Sequence, residues 1–170
     1  MTRLIRRLLA CVLGALTALA LTLVPASPAE AAQTVGGAQL RYLPPGLGAS
    51  TDFDYEYDDV RFLARVWESG SDSAGWRVDL DVEVMRGRRL VSPRALHDWF
   101  IAYEERPADE VHYRPVRIRG HRGWVTRDEV FWLVRRGLAV AVTIDRTRWS
   151  RRALLRTARG VRVPCRRGAR

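Results

Sequence analysis

The sequence contains no lysine and no asparagine, and in 170 residues it has only two cysteines, Cys11 and Cys165, and three histidines. Two cysteines exclude a small domain stapled by disulfides. Without lysine, all 29 basic residues are arginine. Arginine codons are GC-rich and those of lysine and asparagine AT-rich, so biased base composition is the simplest cause. His97, His112 and His121 have no second histidine or cysteine at metal-ligand spacing, and no HExxH, CxxC or EF-hand pattern occurs. No metal and no cofactor is expected. Internal repeats and low-complexity tracts are also missing. What is present, 47% apolar and 28% charged residues, describes one globular domain.

The chain opens with targeting features. Arg3, Arg6 and Arg7 form a positive n-region, Leu8 to Val24 carries no charge, and Pro25 breaks the run. Ala29 and Ala31 supply the small residues a signal peptidase reads, so residues 1–31 are expected to be a cleaved signal peptide. An uncleaved anchor is the alternative, but the run falls short of the ~20 residues a spanning helix wants. Cys11 sits near the start of the apolar run, whereas a lipobox cysteine should close it. Cleavage leaves 139 residues, long enough to bury roughly 68% of the unfolded surface in one core.

The formal charge of +10 is unevenly placed. Residues 151–170 hold eight arginines and no acid, while 32–149 balance 18 arginines against 18 acids. That distribution disfavours a uniformly basic nucleic-acid-binding domain. Residues 32–50, rich in glycine and proline, read as a flexible linker or arm. Residues 51–160 read as a single domain and 161–170 as a basic tail.

From Asp52 the chain alternates aromatic and acidic residues, and the parity slips at Asp58-Asp59, as at a bulge or tight bend. An apolar face then continues through Val60, Phe62, Ala64 and Val66. Beyond the turn-rich 69–75, Trp76, Val78, Leu80, Val82 and Val84 are expected to face the core, and Arg77, Asp79, Asp81 and Glu83 the solvent. Charge suggests a hairpin register in which paired numbers sum to 144, setting Arg65 opposite Asp79 and Arg61 opposite Glu83. Ser92-Pro93 predicts a capped helix with Val91 and Leu96 as a hydrophobic staple. Its stripe is Leu96, Trp99, Phe100 and Tyr103, and Pro107 ends it. Val116 to Ile118, Val130 to Val134 and Leu138 to Ile144 read as strands, the last covered on both sides. Ser150 predicts a second helix with Trp149 and Leu154 as staple, stopped by Gly160. The expected fold is α+β: an antiparallel sheet of about five strands and two helices, in the order ββ-α-βββ-α, with the helices on one face.

Catalytic chemistry is hard to find. No G-x-S-x-G elbow occurs, and the serines and glycines of 69–75 suit a hairpin turn better. An EF-hand counted from Asp52 would need glycine and glutamate where Tyr57 and Leu63 stand. Glu104 and Glu105 are sequence neighbours, which does not make them a glycosidase pair. The six tryptophans invite a stacking platform, yet Trp76, Trp99 and Trp149 fall at core or staple positions, and Trp67 and Trp124 read as packing residues too. No catalytic residue is assigned, and the expectation is that the protein is not an enzyme. Arg151 and Arg152 lie in the first turn of a helix, where the macrodipole is already positive. Either an acid such as Asp145 lies nearby or the turn is poised for an anion. With Arg162, Arg166, Arg167 and Arg170 of the tail they form the candidate anion-binding set. Cys165, beside Arg166 and Arg167, is a candidate free thiol whose neighbours favour the thiolate. It has no internal partner after cleavage, so it stays free, is capped or pairs between chains.

Phe131-Trp132, Gly137, Val140 to Ile144, Ser150, Leu154-Leu155 and Ala158 form an aromatic-ended strand, a turn, an apolar strand and a short capped helix. Together with Arg65 to Gly70 and Val84 to Gly87, this pattern resembles uncharacterised secreted or lipoprotein-like cell-envelope proteins of high-GC Gram-positive bacteria. The resemblance covers about residues 42–163, and it implies an extracytoplasmic α+β domain with no substrate attached. The functional expectation is therefore a secreted, non-enzymatic cell-envelope protein that binds a protein or envelope component. Weak contact with anionic membrane or wall polymer and no nucleic-acid partner are expected. The alternatives are a small-ligand or lipid-binding envelope protein and, third, a secreted hydrolase.

Overall fold

Asp58 and Asp59 have φ of 50° and 62°. Two successive left-handed residues make the two-residue turn whose twist matches that of paired strands, and aspartate tolerates that conformation better than most side chains. The parity slip in the sequence is therefore a chain reversal. In the computed structural model, which describes residues 33–105 and 112–164, this turn separates β3 (Ala49–Tyr57) from β4 (Val60–Ser71). The other elements are β1 (Gln33–Val35), β2 (Ala38–Leu40), β5 (Gly75–Gly87), α1 (Pro93–Glu104), β6 (Arg114–Ile118), β7 (His121–Val125), β8 (Glu129–Arg135), β9 (Leu138–Ile144), α2 (Arg151–Gly160) and β10 (Val161–Arg162).

The α+β class stands, but the five-strand sheet does not. The main sheet has seven strands in the order β3-β4-β5-β9-β8-β7-β6, and a second sheet has the order β1-β2-β10. Every pair is antiparallel. A bulge and a two-residue turn both flip parity by one residue, so alternation alone merged β3 with β4. The turn Arg119-Gly120, with φ of 52° and 87°, likewise divides β6 from β7. The stretch 32–50, expected to be a linker or arm, supplies β1 and β2 and then docks on the domain. The basic tail begins as β10, paired to β2.

The β4–β5 register also departs from expectation. Paired numbers sum to 147 from Val60↔Gly87 to Trp67↔Leu80, and to 146 beyond a bulge at Trp67/Glu68. Arg65 therefore faces Val82 and Arg61 faces Arg86. The arginines find acids on the other neighbouring strand, Arg65 with Asp52 and Arg61 with Asp54. Cross-strand charge pairing operates here, with β3 rather than β5 as the partner.

The sheet is covered on both faces, with one helix on each, not both on one. Val60, Phe62, Met85, Phe131, Ala139 and Ala141 pack under Leu96 and Phe100 of α1. Leu80, Val82, Val84, Val130, Trp132, Val140 and Val142 pack under Leu154 and Ala158 of α2 and the β1-β2-β10 sheet. Burying a side chain such as Leu96 or Phe100 contributes about 1.5–3 kcal/mol. Two-sided burial explains why β9 is apolar from Leu138 to Val142, and it places Asp81 and Glu83 against α1's face instead of water. Trp76 and Val78, expected in the core, are 59% and 46% exposed. They lie where β5 runs past β9, whose pairing starts at Leu80, so nothing covers them.

Both helix caps follow the sequence, although Val91, expected to staple onto Leu96, is 42% exposed. Ser92 Oγ accepts from Ala95 N at 3.1 Å and Ser150 Oγ from Ala153 N at 3.4 Å. The stripe of α1 packs as expected, whereas Pro107 lies outside the described residues. α2 ends at Gly160, where the backbone turns extended at Val161, and a Cβ at Gly160 would crowd Tyr42 N at 3.0 Å. Among the described residues, no helix is long and apolar enough to cross a membrane.

Candidate functional site

The candidate anion-binding arginines separate into three groups. Arg151 and Arg152 are exposed in the first turn of α2, which holds no acid. Asp145 does not serve them. Its Oδ1 accepts from Thr147 N at 2.8 Å and Thr147 Oγ1 at 2.6 Å, and the hydroxyl bond holds its carboxyl below the usual range. Arg166, Arg167, Arg170 and the thiol Cys165 lie outside the described residues. Arg162 lies on β10, and the fold gives it company.

Arg162 pairs in register with Gln39, whose Oε1 accepts from Arg41 Nη2 at 3.4 Å. Arg41 continues the chain from β2 and donates its backbone N–H to Gly160 O at 3.1 Å, which sets it beside β10. Arg119, from the β6–β7 turn, completes the group. Repulsion from Arg119 first and Arg41 second lowers the pKa of Arg162, although Arg162 is fully exposed. Among the described residues none of the three has a carboxylate partner. Arg156 stands close by on α2, its guanidinium 4.0 Å over the ring of Tyr42. Three arginines thus share one surface with no acid paired to them among the described residues.

Arg41 and Arg119 were not legible as site residues. The only trace was Gly120, which marks a turn; nothing in the chain said that a two-residue strand would bring Arg162 to it. A second arginine-lined place is an open groove of about 580 Å³ between the end of β5 and the β8–β9 turn, bordered by Arg86, Arg88 and Arg136. There Arg86 already donates to Gly36 O at 2.8 Å, which leaves fewer donors free.

The acids that sequence parity sent to solvent are the other surprise. Asp79 is fully buried. Burial alone would raise its pKa, but Ser69 Oγ at 2.8 Å, Gly48 N at 2.9 Å and the Arg148 guanidinium outweigh that and hold the carboxyl ionised. Gly48 is required there, since a Cβ would overlap Glu68 O at 1.8 Å. Arg148 also donates to Gly46 O, and Trp149 Nε1 to Pro45 O, so one buried ion pair clasps three segments.

Four residues along β5, Glu83 has no arginine partner among the described residues. Its Oε1 meets Tyr55 Oη at 3.0 Å, and Tyr55 meets Tyr103 Oη at 2.9 Å. Burial first and the neighbouring Asp81 second push its carboxyl up to about 8. Burial and then Glu104 push Asp81 up to about 7, and its Oδ1 has no hydrogen-bond partner among the described residues. Asp81, Thr143 and Glu129 lie in one row across β5, β9 and β8. Glu129 Oε2 accepts from Tyr113 Oη at 2.9 Å. These are packed carboxyls and tyrosines under a helix. Among the described residues no three His, Cys, Asp or Glu side chains are grouped to hold a metal ion. His97 lies within an aromatic stack, 4.7 Å from Trp124.

The chain matches no family model, no curated protein and no solved structure. The candidate site therefore rests on its own geometry.

Proposed function

We propose that this is an extracytoplasmic, non-enzymatic domain that binds a phosphate-bearing polyanion of the cell envelope through Arg41, Arg119 and Arg162. The observation that carries this reading is the convergence of three arginines, one just after β2, one in the β6–β7 turn and one on β10, with no carboxylate partner among the described residues. The leader of residues 1–31 supports an extracytoplasmic setting, where the abundant polyanions are lipid headgroups and wall polymers rather than DNA. Each arginine near an anionic surface contributes ~1 kcal/mol, screened within about 8 Å at physiological salt.

Co-sedimentation tests the reading in two arms, anionic vesicles and isolated wall polymer, which separate the two sources of phosphate. The triple variant Arg41→Gln, Arg119→Asn, Arg162→Gln keeps a residue that tolerates the left-handed turn at 119. It should lose about a hundredfold in binding at low salt. A chain ending at Pro164 removes the other tail arginines yet keeps β10, whose Val161 is buried. It should lose less. Equal pelleting of the triple variant and the wild type in both arms overturns the proposal.

A further inference from the structure

The main sheet has two edges, and only one is protected. β6 is five residues long and carries Pro115 between Arg114 and Arg117, the usual devices against strand addition. β3 is nine residues long, contains no proline, glycine or basic residue, and is exposed at every position. Its aromatic side chains are no exception: Phe53 is 46% and Tyr57 46% exposed.

The turn defines which backbone groups are free. In a two-residue hairpin, Tyr57 and Val60 flank the turn and exchange both hydrogen bonds, so the odd-numbered residues of β3 bond to β4. The N–H and C=O groups of Ser50, Asp52, Asp54 and Glu56 therefore point outward. Three of these four residues are acids, so open backbone and negative charge coincide. On the opposite face Tyr55 stacks on Phe62 at 4.7 Å and Tyr57 meets Tyr103 edge-on at 5.3 Å, an aromatic row continuous with the α1 core.

We infer that β3 is a docking edge that accepts an added strand from a partner protein, one that alternates basic with apolar side chains. Basic residues of that strand would lie opposite Asp52, Asp54 and Glu56, and its apolar residues over Phe53 and Tyr57. A second copy of this chain is a poorer occupant. Antiparallel self-pairing centred on Phe53, Asp54 or Tyr55 sets acids directly opposite acids, and like charges in that position repel. Arg65 and Arg61 already neutralise Asp52 and Asp54 in part, while Glu56 has no ion pair among the described residues. The edge consequently favours a cationic strand over an anionic one. This inference stands on the sheet edge alone and is independent of the arginine surface.

The probe is a blocked nine-residue peptide alternating arginine with valine, compared with its glutamate–valine counterpart and with a scrambled peptide of the same composition. Fluorescence anisotropy should show saturable binding at least about tenfold tighter for the arginine–valine peptide than for either control. Amide hydrogen exchange should slow at Asp52, Asp54 and Glu56. Asp54→Pro removes one outward N–H and leaves the backbone bonds to β4 in place; it loses the Arg61 ion pair, as Asp54→Ala also does, and should abolish binding. Asp54→Ala keeps that N–H and should bind, which separates backbone docking from charge alone. Unchanged binding to Asp54→Pro, equal affinity for the scrambled peptide, or no slowing of the three amides overturns the inference. So does a dimer of the unliganded chain that Asp54→Pro dissolves, which would make the occupant a second copy.

Discussion

Asp79 and Glu83 lie four residues apart on β5 and are both buried, yet they are solved in opposite ways. Asp79 sits where β5 runs past β9, and loops 45–48 and 145–149 close over it with an arginine, a serine and a backbone N–H. Its charge is compensated and its proton is lost easily. Glu83 sits between sheet and α1 among tyrosines and other acids, so its charge is opposed and its proton is held. The lesson is that burial by itself does not set the state of an acid. The partners that tertiary packing delivers decide it.

The comparison breaks most severely if Arg148 is removed. Arg148→Ala strands Asp79 as an uncompensated buried carboxylate and releases Gly46, so it should cost about 3–5 kcal/mol in urea unfolding. Arg148→Ala combined with Asp79→Leu should recover part of that loss; no recovery would mean that the clasp acts through the loop and not through the charge.

At the other end of β5 the prediction concerns pH. The folded-state pKa values of Glu83 and Asp81 are raised, so between about pH 4 and pH 8 the folded chain binds more protons than the unfolded one. Stability from this pair is present at low pH and is lost as pH rises through the folded values. Each carboxyl contributes a slope of up to about 1.4 kcal/mol per pH unit within its own window. Glu83→Gln, which keeps the shape and cannot ionise, should flatten the fall in melting temperature between mildly acidic and mildly alkaline buffer. An unchanged slope would mean that Glu83 is ionised in the fold.

The smallest effect sharpens the contrast between buried and exposed pairing. Asp52→Asn breaks the cross-strand pair with Arg65 on the open edge, where Asp52 is 63% exposed. It should cost only ~0.2–1 kcal/mol and less at high salt. A cost comparable to that of Arg148→Ala would contradict the view that burial magnifies the first pair.

Much of this molecule was legible wherever the signal was local. Ser92-Pro93 and Ser150 placed both helices, the stripe of Leu96, Trp99, Phe100 and Tyr103 placed the face of α1, and the two-sided apolar run of β9 placed the centre of the sheet. Parity misled at Asp58-Asp59, because a turn and a bulge leave the same trace. It misled again at Asp81 and Glu83, because alternation cannot say whether the second face of a sheet is wet. The arginine surface was half-visible: Arg162 stood out in the basic tail, but Arg41 and Arg119 lie 121 and 43 positions before it and carry no mark of their own.

By itself, the sequence determined the class of the fold, the ends of its helices, the strand content of its centre and the asymmetric placing of its charge. These depend on neighbours a few residues apart, through capping, periodicity and composition. Only the tertiary structure decided strand count, register, which acids are buried, which edge is open and which arginines meet. Each of those depends on which remote segment arrives alongside, and a segment such as Val161–Arg162 makes its contribution through a partner, β2, whose paired residues Leu40 and Gln39 lie 121 and 123 positions earlier in the chain.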